Sequence, residues 1–228
     1  MRYVPRIVHG YWVNYDGSNT LPKDVAQAIE TTRSIFLDYD HFLWHRESCI
    51  ELLKKTLPEN LPWFKKLTIP AMQSDIARLL VLYKFGGIYM DASVVPRAST
   101  SVSELESVIG NSRLTVFEST ESSNILMNRF IAAEKGSSAI LNILEAAFTQ
   151  VRSSVDAHEQ SIDVWALTGS RLSNFIKHNA DDIKGLNRVS FERAHSILTR
   201  RNCEYKMTDT GNWLSLQTGR LGPVYRSQ

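Results

Sequence analysis

The sequence predicts an α/β fold, because short apolar runs that alternate like strands recur between longer runs with the period of a helix. Residues 6–13 show the first pattern. Residues 74–93 pass from a helical pattern through two glycines into a short apolar strand. The chain has 228 residues, of which 43% are hydrophobic, so one domain with a full core is expected.

Composition excludes several classes of protein. The chain has 26 basic and 24 acidic side chains and a net charge of +2, which is too balanced for a nucleic-acid surface. A run of about eighteen apolar residues is lacking, so no membrane span is expected, and binding to a membrane surface stays open. The first residues lack the apolar core of a signal peptide, and the two cysteines suit free thiols in a reducing compartment. A cytoplasmic protein is therefore expected, or an effector secreted through a signal of another kind.

The first part of the chain alternates between strands and helices. Residues 6–13 form the first strand, and a helix follows Pro22, since proline is favoured in the first turn of a helix. Residues 34–44 return as extended chain, and residues 46–57 carry apolar side chains at helical spacing.

Residues 74–93, SDIARLLVLYKFGGIYMDAS, are the most informative stretch. Their first part has apolar residues at helical spacing and is apolar on nearly every side, so a buried helix is expected. Asp75 and Arg78 share one face of this helix, because residues three apart are neighbours on a helix surface. A buried helix that keeps an acid and a guanidinium indicates a functional site.

Gly86 and Gly87 end this helix. They can form a C-cap, because glycine takes the left-handed conformation at little cost, or they can let the backbone approach a ligand closely. Residues 88–90 then predict a short buried strand with Asp91 at its end. Ligands of open α/β sheets bind outside the carboxyl ends of strands, so Asp91 is suited to a metal, a ribose hydroxyl or a cation bound to phosphate.

The remaining elements are assigned in the same way. Residues 94–96 and 114–117 have the pattern of strands, and residues 124–133 have that of a helix. Ser137 is placed to cap a further amphipathic helix. The chain from Leu186 onward predicts short strands and turns.

The motif S-D-x-x-R-x-x-x-L-Y-K-x-G-G-I-Y-x-D-x-S in residues 74–93 closely resembles the sugar-transferase region with a DXD motif. That family includes α-mannosyltransferase-like enzymes, capsular and lipopolysaccharide glycosyltransferases and, distantly, the clostridial glucosylating toxins. The resemblance implies a single GT-A domain over residues 1–228, with a Rossmann-like mixed sheet flanked by helices. It also implies a glycosyltransferase that uses a UDP- or GDP-sugar and transfers the sugar with retention of configuration.

The resemblance further implies roles for individual residues of this stretch. Asp75 and Arg78 would bind hydroxyls of the donor sugar, and Tyr89 would pack near the ribose. Asp91 would hold a divalent cation, Mn²⁺ or Mg²⁺. Ser93 stands where the family has the second acid of its Asp-x-Asp motif, and it is an uncharged and weaker ligand. The need for a metal is therefore left open.

Weaker matches lie outside this stretch. The run P-R-I-V-H-G-Y-W resembles the opening motif of the family and makes Trp12 a candidate platform for the base, with a core tryptophan as the alternative. Asn128 matches an asparagine that faces the donor site in the family. The run W-A-L-T-G-S, residues 165–170, resembles a T-G-P element, of which only the turn is supported.

One more match lies near the C-terminus. Trp213 corresponds to the tryptophan of a closing loop in the family, and Asp209 and Asn212 lie beside it, where they could supply metal or phosphate contacts that Ser93 cannot. The predicted donor-binding residues are thus Trp12, Gly86, Gly87, Tyr89, Ser93, Asn128 and Trp213.

The sequence therefore predicts an enzyme that moves a sugar from a nucleotide-sugar donor to a hydroxyl of a glycan or a protein. Two alternatives stay open. The Asp-Ala-Ser variant could belong to a weakened enzyme that binds nucleotide sugars or glycans without transfer, or the chain could modify proteins as an effector-like toxin does. A nucleotidyltransferase would need a glycine-rich basic phosphate loop, which residues 14–23 do not supply.

Overall fold

The computed structural model describes residues 2–92, 94–119, 125–157 and 163–200, together with residue 203. Within them the strands are β1 (Ile7–Tyr11), β2 (Asp40–Trp44), β3 (Gly87–Met90), β4 (Val94–Pro96), β5 (Leu114–Glu118), β6 (Leu126–Ala133), β7 (Leu186–Val189) and β8 (Leu198–Arg200). The helices are α1 (Lys23–Ile35), α2 (Arg46–Thr56), α3 (Leu61–Lys66), α4 (Pro70–Phe85), α5 (Val102–Ile109), α6 (Ser138–Asp156), α7 (Arg171–Asn179) and α8 (Phe191–Ile197). This succession confirms the predicted α/β class.

The strands form one mixed sheet in the order β2-β1-β3-β6-β5-β7 and a second pair, β4 and β8. In the larger sheet β1 is parallel to β2 and β3, β6 is antiparallel to β3 and β5, and β5 is parallel to β7. All of its strands except β6 therefore end at the same edge. Ligands of such sheets bind outside the carboxyl ends of the strands, so a site is expected at this edge.

Helices cover both faces of the larger sheet. An apolar cluster on one face joins α4 and α6 and includes Ile76, Leu80 and Ile143, which are fully buried. A second cluster on the other face includes Ile88 and Phe117 and packs α5 and α8 against the sheet. None of the described helices is long and apolar enough to cross a bilayer.

The junction between α4 and β3 requires glycine. Pro70 occupies the first turn of α4, and Gly86 ends the helix as the sequence predicts. Gly86 and Gly87 have φ angles of 67° and 100°, which residues other than glycine rarely adopt. A Cβ atom on Gly86 would lie 2.5 Å from the backbone nitrogen of Lys135, and one on Gly87 would lie 2.6 Å from the carbonyl oxygen of Ile7. The chain can therefore enter the sheet between β1 and β6 only with these two residues.

Three sequence predictions of local structure are wrong. Residues 124–133 were predicted to be helical, but the structure has the strand β6 there, since this short apolar run pairs with β3 on one side and β5 on the other. Residues 34–44 are only partly extended, because α1 continues to Ile35 and β2 begins at Asp40. The region after Leu186 contains α8, whose N-cap Ser190 accepts a hydrogen bond from the backbone of Arg193.

His9 is enclosed within the larger sheet. Its Nε2 atom donates to the carbonyl oxygen of Gly86 at 2.9 Å, and its Nδ1 atom accepts from Nε1 of Trp44 at 3.1 Å. Burial lowers the pKa of His9 from 6.5 to about 4, although the hydrogen bond to Gly86 opposes this effect. The folded protein therefore holds the neutral imidazole, whose two hydrogen bonds join β1, β2 and the end of α4.

This burial makes stability depend on pH. Because the pKa of His9 is lower in the folded state than in the unfolded state, the free energy of unfolding should fall as the pH drops from 6.5 to 4, by up to about 3 kcal/mol. Urea unfolding at several pH values measures it. His9→Gln should remove that part of the pH dependence, and the exposed control His178→Gln should retain it. Equal pH profiles for the two variants would contradict the assignment.

Candidate active site

A hydrogen-bonded cluster lies where α4 passes the carboxyl end of β3. Arg78 lies at its centre, and its Nη1 atom donates to Oδ1 of Asp75. Its Nη2 atom donates to Oγ of Ser74 at 2.9 Å and to Oδ1 of Asp91 at 3.3 Å. The hydroxyl of Tyr89 donates to the same Asp91 oxygen at 3.1 Å. The helical spacing of Ser74, Asp75 and Arg78 thus brings them together with a residue just beyond the strand, as the sequence predicts.

The cluster is buried and charged. Asp75 and Arg78 are 6% and 5% exposed, whereas the side chain of Asp91 is 30% exposed. Burial raises the pKa of Asp75, and the charge of Arg78 opposes that effect. Burial also acts to lower the pKa of Arg78, but the interactions with Asp75, Tyr89 and Asp91 outweigh it and raise this pKa, so the guanidinium stays charged. A buried ion pair is a weak source of stability, which points to a functional reason for keeping it.

Tyr89 supports this cluster from within the fold. It is 1% exposed, and its ring lies 5.1 Å below the guanidinium carbon of Arg78, in a cation–π contact. Its hydroxyl lies 2.9 Å from Oγ of Ser74. Tyr89 therefore holds Arg78 and Asp91 in place. The contact with a ribose that the resemblance implies for it stays a prediction.

Two residues from distant parts of the chain complete the surroundings of Asp75. Nδ2 of Asn128, on β6, donates to Oδ1 of Asp75 at 3.1 Å and to the carbonyl oxygen of Gly169 at 3.3 Å. Oγ1 of Thr168 donates to Oδ2 of Asp75 at 2.7 Å. Asn128 was predicted to be near the site but on a helix. Thr168 was not predicted as a site residue, and the only sequence signal for it was the T-G-P resemblance.

An irregular stretch of β6 aims Asn128 at the cluster. The pairing of β5 with β6 shifts register between Val116 and Phe117, whose partners are Ile131 and Met127. The residues between those two partners are extra on β6, so the strand bulges there. Bulges of this kind turn side chains toward a site, which accounts for a strand residue that reaches the carboxylate of α4.

Asp91 is the one residue with a predicted role in cation binding that lies among the described residues. Its Oδ1 atom accepts from Arg78 and Tyr89, so Oδ2 is the oxygen left for a ligand. In the described part of the chain, no group of three or more His, Cys, Asp or Glu side chains could hold a metal. Mg²⁺ is commonly bound by one or two carboxylates and the phosphates of a substrate, and a single half-buried Asp91 fits that mode. The other predicted cation or donor contacts Ser93, Asp209, Asn212 and Trp213 lie outside the described residues.

The remaining predicted residues lie apart from this cluster. Trp12 is 7% exposed, packs against Val25 and Cys203, and donates from Nε1 to the carbonyl oxygen of Thr20 at 3.2 Å. This packing agrees with the alternative of a core tryptophan, and its role as a base platform stays a prediction.

Gly86 and Gly87 lie at the amino end of β3, whereas Asp91 follows its carboxyl end. Close contacts with backbone atoms of Ile7 and Lys135 account for both glycines. Their predicted contact with a donor has no support from this placement.

A pocket opens between α1 and the larger sheet on the other side of Asp91. It is lined by residues of β1, β2 and α1 and by Asp91. Gly10 lies in its wall, and a Cβ atom there would lie 3.3 Å from Cδ1 of Leu43, which also lines the pocket, so a larger side chain would crowd this part of the wall. Ile29, Leu43 and Ala92 line the pocket and also pack against the cluster of Trp12. Asp91 thus lies between the buried cluster on one side and an open pocket on the other.

Comparison with protein families agrees with this geometry. Residues 22–115 match the glycosyltransferase sugar-binding region containing a DXD motif. The chain is similar to the DXD-containing sugar transferases. Residues 70–162 also match the TcdA/TcdB catalytic glycosyltransferase domain. These matches confirm the resemblance seen in the sequence, and they support the predicted class of enzyme, a glycosyltransferase.

Individual relatives are similar to this chain over only a part of its length. It is 30% identical over 91 residues to inositol phosphoceramide mannosyltransferase 3 of Schizosaccharomyces pombe, covering 40% of this chain and 24% of that protein. It is 30% identical over 95 residues to an uncharacterized glycosyltransferase of Acanthamoeba polyphaga mimivirus, covering 41% and 37%. The matched segment is thus well under half the length of either relative.

A solved structure shows the same fold. The ligand-free glycosyltransferase domain from the YGT toxin superposes with a TM-score of 0.53 at 10% identity, over 80% of this chain and 69% of that one. At this identity the likeness concerns the fold alone, and it confirms the predicted GT-A type.

The structural role of Gly87 can be tested against a matched glycine. Gly87→Ala should lower the free energy of unfolding by at least about 2 kcal/mol, because the new Cβ atom would meet the Ile7 carbonyl and φ is 100°. Gly17 has a φ of 84°, and a Cβ atom there would have nothing within 4 Å, so Gly17→Ala should cost about 1 kcal/mol from backbone strain alone. Chemical unfolding measures both. Equal losses would show that the contact with Ile7 is not what requires glycine.

Proposed function

We propose that this chain is a glycosyltransferase that moves a sugar from a nucleotide-sugar donor to a hydroxyl group of a glycan or a protein. The observation that carries the proposal is the convergence of Asp75, Arg78 and Asp91 in one hydrogen-bonded cluster at the carboxyl end of β3. The three residues belong to the matched family region, and they lie at the edge where ligands of such sheets bind.

The pocket beside α1 is the proposed place of the donor's nucleoside. Asp91 lies in its wall, and apolar side chains such as Ile29 and Leu43 line much of the rest, as is usual for small-molecule sites. The sugar would then extend across Asp91 toward Asp75 and Arg78, whose carboxylate and guanidinium would bind its hydroxyls. Trp12 borders the pocket through its shared neighbours Ile29 and Leu43, and it remains the candidate for stacking on the base.

The net charge of the cluster indicates that the reaction would need an additional positive charge. Departure of the nucleotide diphosphate builds negative charge, and stabilising it is usually the largest catalytic contribution of an enzyme. Asp75, Arg78 and Asp91 together carry one negative charge in excess, so they do not provide that stabilisation by themselves. When bound, a divalent cation would be held by Asp91 and the donor phosphates and would supply positive charge next to the leaving group.

The remaining steps concern this chain's own residues. Asp75 and Arg78 would fix the sugar so that its anomeric carbon faces the acceptor hydroxyl. Holding the reacting atoms in this geometry lowers the activation barrier. An oxygen of the departing phosphate can take the proton of that hydroxyl. This arrangement agrees with transfer with retention and requires no protein nucleophile.

The assay that tests this function measures hydrolysis and binding of UDP- and GDP-sugars, with and without Mn²⁺ or Mg²⁺. Relatives named as mannosyltransferases make a mannosyl donor one of those to include. Binding of a donor without hydrolysis or transfer would favour the alternative of a sugar-nucleotide binder, which the Ser93 substitution supports. Intact-mass measurements on incubated proteins would then separate a protein acceptor from a glycan.

Asp91 should be required for the metal-dependent reaction. Asp91→Asn should lower kcat by about a hundredfold or more, because it removes the carboxylate that holds the cation. Calorimetry should detect Mn²⁺ binding to the unaltered protein only with nucleotide present, since Asp91 alone is a weak site. The exposed control Asp182→Asn should leave kcat unchanged. Tight binding of Mn²⁺ without nucleotide would contradict this account of the site.

Gly10 should be required for binding the nucleoside. Gly10→Val should raise the Kd for UDP or GDP by about tenfold or more, because its side chain would enter the pocket wall beside Leu43 and Met90. Isothermal titration with the nucleotide alone measures this effect. Val102→Ala, in α5 and away from the pocket, is the control for general loss of packing. An unchanged Kd for Gly10→Val would place the nucleoside elsewhere.

A further inference from the structure

The turn before α7 is an irregular part of the fold that reaches the candidate site. Residues Trp165–Gly169 form a π-helical turn, and such turns are rare and often occur at functional sites. Thr168 is 3% exposed within it. A Cβ atom on Gly169 would lie 2.7 Å from the ring of Trp165 and 3.5 Å from Oδ2 of Asp75, so the backbone of this turn lies close to that carboxylate.

The hydroxyl of Thr168 has two acceptors within reach but only one proton. Oγ1 lies 2.7 Å from Oδ2 of Asp75 and 3.2 Å from the carbonyl oxygen of Val164. A hydroxyl donates one hydrogen bond at a time, and an ionised carboxylate is the stronger acceptor. The shorter distance agrees with donation to Asp75.

The hydrogen bonds of Asp75 can be counted against its capacity. Oδ1 accepts from Nη1 of Arg78 and Nδ2 of Asn128, and Oδ2 accepts from Oγ1 of Thr168. A carboxylate has about four lone-pair positions, so these bonds leave one position, on Oδ2. Arg78 and Asn128 both hold the same oxygen. Thr168 is therefore the residue that fixes the direction of the second oxygen and of its remaining lone pair.

We propose that Thr168 is a positioning residue for the donor sugar, which orients Asp75 so that the remaining lone pair of Oδ2 accepts a hydrogen bond from one sugar hydroxyl. This inference rests on the proposed function. It also narrows the chemistry of recognition, because Asp75 accepts from a single hydroxyl of the sugar and the other hydroxyls bind elsewhere.

The test compares two substitutions at one position. Thr168→Val keeps the shape of the side chain and removes the hydroxyl, and Thr168→Ser keeps the hydroxyl. Binding is measured for the UDP- or GDP-sugar that the unaltered chain binds and for the matching UDP or GDP without the sugar. Thr168→Val should raise the Kd of the nucleotide sugar by about tenfold, as expected for loss of a hydrogen bond to a charged group. The Kd of the nucleotide alone should stay within about twofold, because the nucleoside binds away from Asp75.

Thr168→Ser should restore binding of the nucleotide sugar to within about threefold of the unaltered chain. The matched control is Ser173→Ala, in α7. Oγ of Ser173 accepts from the backbone nitrogen of Leu126 at 2.8 Å and donates to the carbonyl oxygen of Leu126 at 3.3 Å, so the substitution removes buried hydrogen bonds in the same region but away from Asp75. This variant should lower Tm while leaving both Kd values unchanged.

The outcomes separate the two proposals. If the unaltered chain binds and hydrolyses a nucleotide sugar, and Thr168→Val binds it equally well, only the role of Thr168 is overturned. If Thr168→Val weakens the nucleotide and the nucleotide sugar by the same factor, Thr168 maintains the fold of the site and positions nothing. If the unaltered chain neither binds nor hydrolyses any UDP- or GDP-sugar, the proposed function fails, and the role of Thr168 fails with it.

Discussion

The buried ion pair between Asp75 and Arg78 is the interaction on which the rest of the site depends. Removing two charges from water is costly, and a hydrophobic pair in the same place would often be equally or more stable. Here the pair is held by hydrogen bonds from α4, β6 and the turn before α7, so parts of the chain far apart in sequence meet on one carboxylate. The surrounding apolar cluster excludes water and strengthens these contacts. Such an arrangement fixes the orientation of polar groups, which is what recognition of a sugar requires.

The backbone on either side of Asp91 is fixed as firmly as its side chain. Its backbone nitrogen donates to the carbonyl oxygen of Arg129 at 2.9 Å, and its carbonyl oxygen accepts from the nitrogen of Val94 at 2.8 Å. The strand β4 that follows pairs with β8, and the nitrogen of Arg97 donates to the carbonyl oxygen of Ile197 at 2.9 Å. A carboxylate held in this way is preorganised at the sheet edge and would need little rearrangement to bind a ligand.

Local patterns in the sequence predicted the central part of the fold because there local and long-range requirements agree. Pro70, the apolar period of α4 and the glycines at its end all specify the same helix. The spacing on this helix places Asp75 and Arg78 on one face, and the short strand after it places Asp91 at its end. The prediction for residues 124–133 was wrong because a short apolar run suits a helix or a buried strand equally well. Pairing with two neighbouring strands decided in favour of β6, and no pattern within the run itself could show those neighbours.

The sequence by itself determined the α/β class, the helix and strand around Asp91 and the residue types of the cluster. The tertiary structure alone decided that Asn128 and Thr168 meet the carboxylate of Asp75 and that Gly86 and Gly87 serve backbone packing. The physical reason is that spacing in the sequence determines which side chains are neighbours only within the same helix or strand, over a few residues. Contacts between α4, β6 and the turn before α7 depend on how separate elements pack, and that is set by burial of the whole core.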